Sequence, residues 1–169
     1  YVGRLDSSKG VDTLLCALNK LKVDFVCEIV GTGICEKEFI EQAKQLGLES
    51  KVTFHGAKRQ MDLADFYSSF DYLVFPSEML ESLGLVGLEA MACGTPVIGT
   101  MNAGMADYLV EEINGFGFES GNAESLTKCL YSSCQLNLDD YQKLSDAARE
   151  TALEYDAKVC TTGLLKVLQ

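Results

Sequence analysis

Residues 72–99, which read YLVFPSEMLESLGLVGLEAMACGTPVIG, contain the pattern that decides the fold. An apolar run at 72–75 is followed by a polar loop, a helical stretch near 84–93 and a second apolar run at 96–99. Both runs are continuously apolar rather than alternating, which is typical of strands buried on both sheet faces. A strand, a crossover helix and a second strand in this order predict a parallel βαβ unit.

The same alternation extends in both directions along the chain. Further strands are predicted at 1–3, 24–30, 52–55 and 116–118, and further helices at 10–21, 35–46, 61–68, 105–110, 123–131, 138–153 and 155–168. This order predicts an α/β fold, a Rossmann-like three-layer α/β/α sandwich with a mostly parallel sheet of about six strands. Residues 1–169 are expected to form one domain. Because Tyr1 lies inside a predicted strand, we expect the domain to come from a longer protein.

The charge balance narrows the class of ligand. Fourteen Lys and Arg residues against 25 Asp and Glu residues give a net charge of −11, which argues against nucleic-acid binding. No basic residue lies between Arg59 and Lys128, so an anion held by this stretch must be met by backbone dipoles or by cations from elsewhere. Seven cysteines without a Cys-x-x-Cys pair predict reduced thiols in a cytoplasmic protein. With a single histidine, His55, the sequence predicts no metal site.

A glycine pair, Gly31 and Gly33, follows the predicted strand 24–30. A glycine-rich turn between a strand and a helix lets backbone amides approach a phosphate. The dinucleotide-binding pattern, however, requires a third glycine where this chain has Glu36, whose carboxylate would repel a pyrophosphate. The pattern therefore favours a tight structural turn over an NAD site. It does not exclude that a sugar ligand passes close to these two glycines.

The loop and helix within 76–93 are the stronger candidate for a ligand site. The helix start near Gly84 faces the carboxyl ends of the strands, where ligands bind in open α/β sheets. Its free amides and its dipole would hold an anion without a charged side chain. Glu81 and Glu89 flank this position, and carboxylates accept hydrogen bonds from sugar hydroxyls. Their spacing alone does not exclude the alternative that Glu81 is a solvated acid in the loop and Glu89 an acid on the helix surface, neither of them binding a ligand.

Two basic residues are predicted at the same edge of the sheet. Arg4 follows the first strand, and Lys9 opens the next helix. Arginine offers a planar fork for phosphate oxygens, and lysine offers a mobile point charge. A lysine at a helix start is unfavourable for the helix dipole, so an anion explains its position better.

Three motifs together resemble those of retaining group 1 (family 4) glycosyltransferases. They are RLDSSKG at 4–10, FHG at 54–56, and Glu81-x7-Glu89 running into LEAMACGTPVI at 88–98. The motifs follow the family's order and spacing along nearly the whole chain. The resemblance implies one half of a GT-B fold, namely the C-terminal, donor-binding domain. The acceptor would be held by an N-terminal domain that this chain does not contain.

The resemblance also implies a role for each matching residue. Arg4 and Lys9 would bind the donor diphosphate and stabilise the leaving nucleoside diphosphate, while Glu81 would hydrogen-bond the transferred sugar; these three are the implied catalytic residues. Glu89 would accept hydrogen bonds from the ribose, and the segment near Ala57 would hold the base through its backbone. The other implied donor-binding residues are Gly3, Ser82, Leu83, Gly84, Leu85 and Val86.

Two positions depart from the family pattern. Leu83 stands where the family usually has phenylalanine, which bears on the packing of the loop. Residues 102–107, NAGMAD, replace a commoner Gly-Gly run ending in glutamate, so a sugar-side role for Asp107 stays open.

The implied function is transfer of a sugar, with retention, from a UDP- or GDP-linked donor to a polysaccharide, glycolipid or other glycan. The enzyme would be a hexosyltransferase of polysaccharide biosynthesis. Neither a metal nor another cofactor is expected, because cations and helix amides can hold the leaving group. A nucleotide-binding module without catalysis and an NAD-type Rossmann domain remain as alternatives.

The expected partners are the nucleotide sugar and a glycan or lipid-linked acceptor bound through the N-terminal domain, but no nucleic acid. The parent protein is expected in the cytoplasm, peripheral to the inner face of a membrane. The isolated domain is expected to be inactive in transfer, because transfer needs both reactants oriented and water excluded.

Overall fold

The computed structural model describes residues 1–160, except for the side chains of Gln60 and Ala103. The strands are β1 Cys27–Ile29, β2 Val52–Phe54, β3 Leu73–Phe75, β4 Val97–Thr100 and β5 Gly115–Phe118. The helices are α1 Val11–Lys20, α2 Glu36–Gln45, α3 Gln60–Ser69, α4 Leu85–Ala92, α5 Ala123–Ser133 and α6 Leu138–Glu154, with 3₁₀ helices at Ser7–Lys9 and Ala103–Asp107.

The strands are parallel and form two groups. In the first group β1 pairs with β2, with Cys27 opposite Val52. In the second group β4 lies between β3 and β5. The predicted first strand is present only as an isolated parallel bridge between Val2 and Val30, where the Gly3 amide donates to the Val30 carbonyl at 3.0 Å. The α/β class with parallel strands is confirmed, and residues 1–160 contain five strands, with the Val2 bridge in place of the sixth.

Helices cover both faces of the sheet, and β4 shows this most directly. Its neighbouring residues Val97 and Ile98 are both fully buried, yet they belong to different apolar clusters. Ile98 packs in a cluster with residues of α1 and α5, whereas Val97 packs with residues of α4 and α6. Successive strand residues point to opposite faces, so both faces are covered, as the continuous apolar run predicts.

Two helix predictions need correction. The predicted helix at 105–110 is instead the 3₁₀ helix Ala103–Asp107. It ends there because the buried Asn114 side chain accepts from the Val110 amide at 2.8 Å and donates to the Tyr108 carbonyl at 2.7 Å. Of the predicted helix 155–168, residues 157–160 are helical, and residues 161–168 lie outside the described residues.

Two helix ends and the cysteines show further local structure. The Asn122 side chain caps α5 by accepting from the amides of Glu124 and Ser125. Gly47 follows the end of α2 with φ of 69°, the left-handed conformation that glycine adopts at helix C-termini. The seven cysteines, all within the described residues, are free thiols. No helix within residues 1–160 combines the length and apolar character needed to cross a membrane.

Candidate functional site

A cleft of about 500 Å³ opens at the carboxyl edge of the parallel strands. Its walls come from the segment after the Val2 bridge, the end of β3 with its loop, and the start of α4. The lining residues are Tyr1, Val2, Gly3, Arg4, Lys9, Phe75, Ser77, Glu81, Ser82, Leu83, Gly84, Leu85 and Val86. The structure therefore brings most of the predicted site residues into one cleft. Ala57 and Glu89 are predicted site residues that do not line it.

Gly10 allows the 3₁₀ helix Ser7–Lys9 to pack directly against the loop after β3. Its φ is +68°, and a Cβ at this position would lie 2.0 Å from the Pro76 carbonyl oxygen. The Glu78 amide donates to the Ser8 carbonyl at 2.9 Å, which fixes the same contact from the other side. Lys9 thus ends a 3₁₀ helix one residue before the Gly10 N-cap of α1, rather than opening α1 as the sequence predicts.

Lys9 and Glu81 form the central ion pair of the cleft. The Lys9 Nζ lies 2.5 Å from Glu81 Oε1, and the Ser77 hydroxyl donates to the same oxygen at 2.7 Å. Both charged side chains are largely buried, with 14% and 18% of their surface exposed. Burial raises the pKa of Glu81, but the hydrogen bonds from Lys9 and Ser77 and the charges of Lys9 and Arg4 outweigh burial and hold it below its ordinary value. Glu81 is therefore a carboxylate near neutral pH.

Arg4 lies at the rim of the cleft with a different kind of partner. Its Nη2 is 3.2 Å from Asp6 Oδ2, and 72% of its side chain is exposed. The Ser8 hydroxyl donates to Asp6 at 2.6 Å; this hydrogen bond, together with the Arg4 charge, outweighs the effect of burial and keeps the pKa of Asp6 below its ordinary value. The exposed guanidinium is free to turn toward a ligand. The sequence did not predict that Asp6 and Ser77 bind the charged residues of the cleft. For Asp6 a signal was present, because D-x-S at residues 6–8 is a helix-capping pattern.

The start of α4 presents uncapped amides to the cleft. Gly84 is the N-cap residue, with φ of 69°, and no side chain caps the first turn. No acidic residue lies in that turn, so the positive end of the helix dipole is not neutralised locally. Leu85 and Val86, whose amides begin the helix, both line the cleft. Leu83, which stands where phenylalanine is usual, lines the cleft and packs against the cluster that contains Phe75.

Glu89 and Ala57 lie on elements next to the cleft. Glu89 is on the second turn of α4, where it accepts from the hydroxyl of Tyr67 on α3 at 3.1 Å. Burial, together with the charge of Glu89, raises the pKa of Tyr67, which therefore remains a neutral donor. Ala57 is exposed in the loop after β2. Asp107 is exposed and does not line the cleft, and its carbonyl accepts from the Tyr155 hydroxyl at 2.9 Å.

The glycine pair after β1 has a structural explanation. A Cβ at Gly31, whose φ is +140°, would lie 1.8 Å from the Gly3 carbonyl oxygen. A Cβ at Gly33 would lie 2.2 Å from the Leu5 carbonyl oxygen. Both glycines are thus required by the close approach of two backbone segments, as the prediction of a tight turn states. Among residues 1–160, no group of three or more His, Cys, Asp or Glu is arranged to hold a metal ion.

Parallel strands covered on both faces, with a cleft at their carboxyl edge and a helix start facing it, define a Rossmann-like ligand-binding domain. Residues 1–151 match the family described as Glycosyl transferases group 1, and the chain belongs to that family.

One relative and two solved structures show how much of such a protein this chain represents. An uncharacterized glycosyltransferase of Methanocaldococcus jannaschii is 34% identical over 128 residues, which cover 75% of this chain and 33% of that protein. The structure of Anabaena HepE in complex with UDP and glucose has a TM-score of 0.89 at 24% identity, and the match covers 99% of this chain and 46% of HepE. The C-terminal domain of the group 1 family glycosyl transferase LpcC from Francisella tularensis has a TM-score of 0.81 at 23% identity, with 92% of this chain and 84% of that domain covered.

The chain therefore spans less than half of the first two proteins and most of the third, which is a C-terminal domain. The predicted family and the predicted GT-B half are confirmed.

Proposed function

We propose that this chain binds a nucleoside diphosphate sugar in the cleft and supplies the donor half of a retaining hexosyltransferase. Family membership supports glycosyl transfer. The observation that carries the proposal is the convergence of Lys9, Glu81 and the uncapped α4 start on one cleft. Cations and helix amides suit a diphosphate, and an ionised carboxylate suits sugar hydroxyls.

The diphosphate occupies the space between Lys9, Arg4 and the amides of Leu85 and Val86. The Lys9 ammonium has three donors, so it can keep its bond to Glu81 while donating to a phosphate oxygen. The exposed Arg4 fork exchanges Asp6 for phosphate oxygens, which it can bind through two parallel hydrogen bonds. These donors become more effective as negative charge develops on the leaving group, so the proposed reaction uses no metal ion.

Glu81 faces the transferred sugar. Its carboxylate is held by Ser77 and Lys9, so its orientation is set before the ligand arrives. Glu89 accepts from the ribose hydroxyls while the Tyr67 hydroxyl holds its carboxylate in place. The backbone near Ala57 contacts the base. This arrangement extends the donor from the cleft across α4 toward the loop after β2.

A UDP-linked donor is the first choice, and a GDP-linked donor is the second. HepE, which shares the fold of this chain, forms complexes with UDP and with UDP-glucose. The acceptor, a polysaccharide, glycolipid or other glycan, is held by an N-terminal domain of the whole protein. That protein works in the cytoplasm at the inner face of a membrane. This domain binds the donor but transfers no sugar by itself, because transfer also needs the acceptor to be positioned.

Isothermal titration calorimetry with UDP, GDP, ADP and their sugar conjugates tests the proposal. UDP or GDP should bind, Lys9→Ala should weaken that binding, and EDTA should leave it unchanged. Lys20→Ala is the matched control, because Lys20 pairs with Glu124 at an exposed position outside the cleft lining. A folded chain that binds none of these nucleotides, or binding that depends strictly on Mg²⁺ or Mn²⁺, contradicts the proposal.

A further inference from the structure

Tyr108 contacts the start of α4 from behind the cleft wall. It follows the 3₁₀ helix Ala103–Asp107, its side chain is buried, and it does not line the cleft. Its hydroxyl donates to the carbonyl oxygen of Gly84 at 2.9 Å. Gly84 is the N-cap of α4 and does line the cleft. A residue outside the cleft is therefore bonded to the residue from which the cleft-facing helix begins.

Gly87 makes room for this contact. A Cβ at Gly87 would lie 2.2 Å from the Tyr108 hydroxyl oxygen and 3.2 Å from its ring carbon Cζ. Glycine is the least favourable helix residue apart from proline, so a glycine inside an eight-residue helix calls for a packing reason. The Tyr108 hydroxyl supplies that reason, because any larger residue at position 87 would occupy its place.

The segment that carries Tyr108 is itself firmly held. The Gly104 amide donates to the Glu81 carbonyl at 3.0 Å, and a Cβ at Gly104 would lie 2.2 Å from the Ser82 carbonyl oxygen. On its other side, the Tyr108 ring packs edge-on against Tyr155, with 5.8 Å between ring centroids. The 3₁₀ helix thus supports both the loop that carries Glu81 and the start of α4.

We propose that Tyr108 is a positioning residue for the diphosphate site. Its hydroxyl fixes the Gly84 carbonyl and thereby holds the amides of Leu85 and Val86 in the direction that a phosphate needs. The Gly84 carbonyl also accepts from the Gly87 amide at 2.8 Å, so the hydroxyl is a second donor that tightens the first turn. This inference rests on the proposed donor-binding function.

Tyr108→Phe removes the hydroxyl and keeps the ring, and UDP titrated calorimetrically is the probe. We expect binding about three- to tenfold weaker, the effect of one neutral hydrogen bond. Without ligand, the NMR order parameters of the Leu85 and Val86 amides should fall, because the first turn is held less firmly. Tyr141→Phe is the matched control: its hydroxyl donates to the Asp71 carbonyl at 2.9 Å, at the other end of β3. That variant should leave UDP affinity and these order parameters unchanged.

Gly87→Ala provides a second, independent test of the Tyr108 contact. Alone, it should displace the Tyr108 ring and weaken UDP binding at least as much as Tyr108→Phe does. The double variant should bind UDP less than twofold more weakly than Gly87→Ala alone, because the two substitutions act on one contact.

The outcomes separate the two proposals. If the wild-type chain binds UDP and Tyr108→Phe binds it equally well, the positioning role is wrong and the donor site stands. Additive effects of the two substitutions likewise overturn the positioning role. If the wild-type chain binds none of the nucleotides tested, both proposals fail.

Discussion

Substituting Gly10 by alanine tests whether the contact between the 3₁₀ helix and the loop after β3 builds the cleft. Two costs apply to Gly10→Ala. The left-handed conformation at φ of +68° costs an L-residue about 1–2 kcal/mol. The new Cβ would also lie 2.0 Å from the Pro76 carbonyl, and such overpacking adds roughly 1–3 kcal/mol. The free energy of unfolding should therefore fall by about 2–5 kcal/mol.

Gly47→Ala separates the two costs. Gly47 has nearly the same φ, 69°, but nothing lies within 4 Å of a Cβ built there. This variant should lose only the conformational part, about 1–2 kcal/mol. Urea unfolding followed by circular dichroism measures both variants, and UDP titration at a temperature where both are folded measures the cleft. Gly10→Ala should bind UDP more weakly than wild type, whereas Gly47→Ala should bind equally well. Equal loss of stability in the two variants would refute the assigned role of the Pro76 contact.

Three further predictions concern residues in or beneath the cleft. Arg4→Ala should change the free energy of unfolding by less than about 0.5 kcal/mol, because the side chain is exposed. The same variant should weaken UDP binding by roughly 1.5–3 kcal/mol. Urea unfolding measures the first effect, and calorimetry measures the second. The pKa of Glu81 is lower in the folded chain than in the unfolded chain, so ionised Glu81 stabilises the fold at pH values above the ordinary carboxyl pKa. This stabilisation is lost as the pH falls through the pKa of Glu81 in the folded chain. Glu81→Gln should accordingly flatten the acid side of the stability profile, and an unchanged profile would contradict that assignment. Thr100→Val removes the buried hydroxyl that donates to the Ser77 carbonyl at 2.8 Å, and urea unfolding should show a loss of about 1–3 kcal/mol.

The hydrophobic pattern predicted the helices and most strands because each has a local signal. Continuous apolar runs, for example, marked β3 and β4. The grouping of Arg4, Lys9 and Glu81 could also be predicted, because the carboxyl ends of parallel strands meet at one edge. The motifs supplied the family and therefore the likeness to a known half-domain.

The parts that escaped prediction depend on long-range contacts. No local pattern indicates that the Lys9 ammonium meets Glu81, which is 72 positions away in sequence. The contact between Tyr108 and Gly87 depends on the path of a 3₁₀ helix, and that path depends on the buried Asn114 amide. Residues 1–3 form a single parallel bridge, whose hydrogen bonds run from the Val30 amide to the Tyr1 carbonyl and from the Gly3 amide to the Val30 carbonyl.

Each of the two basic residues of the cleft forms an ion pair with a carboxylate: Arg4 pairs with Asp6, and Lys9 pairs with Glu81. The side-chain charges of the cleft therefore nearly cancel, within a chain whose net charge is −11. Such a cleft exerts little long-range attraction on polyanions, so recognition must come from directional hydrogen bonds made at short range. Affinity for a diphosphate would then depend only weakly on ionic strength. A spent nucleotide would also leave without escaping a strong positive field, because Lys9 keeps its bond to Glu81 throughout and Arg4 regains Asp6 as the product departs.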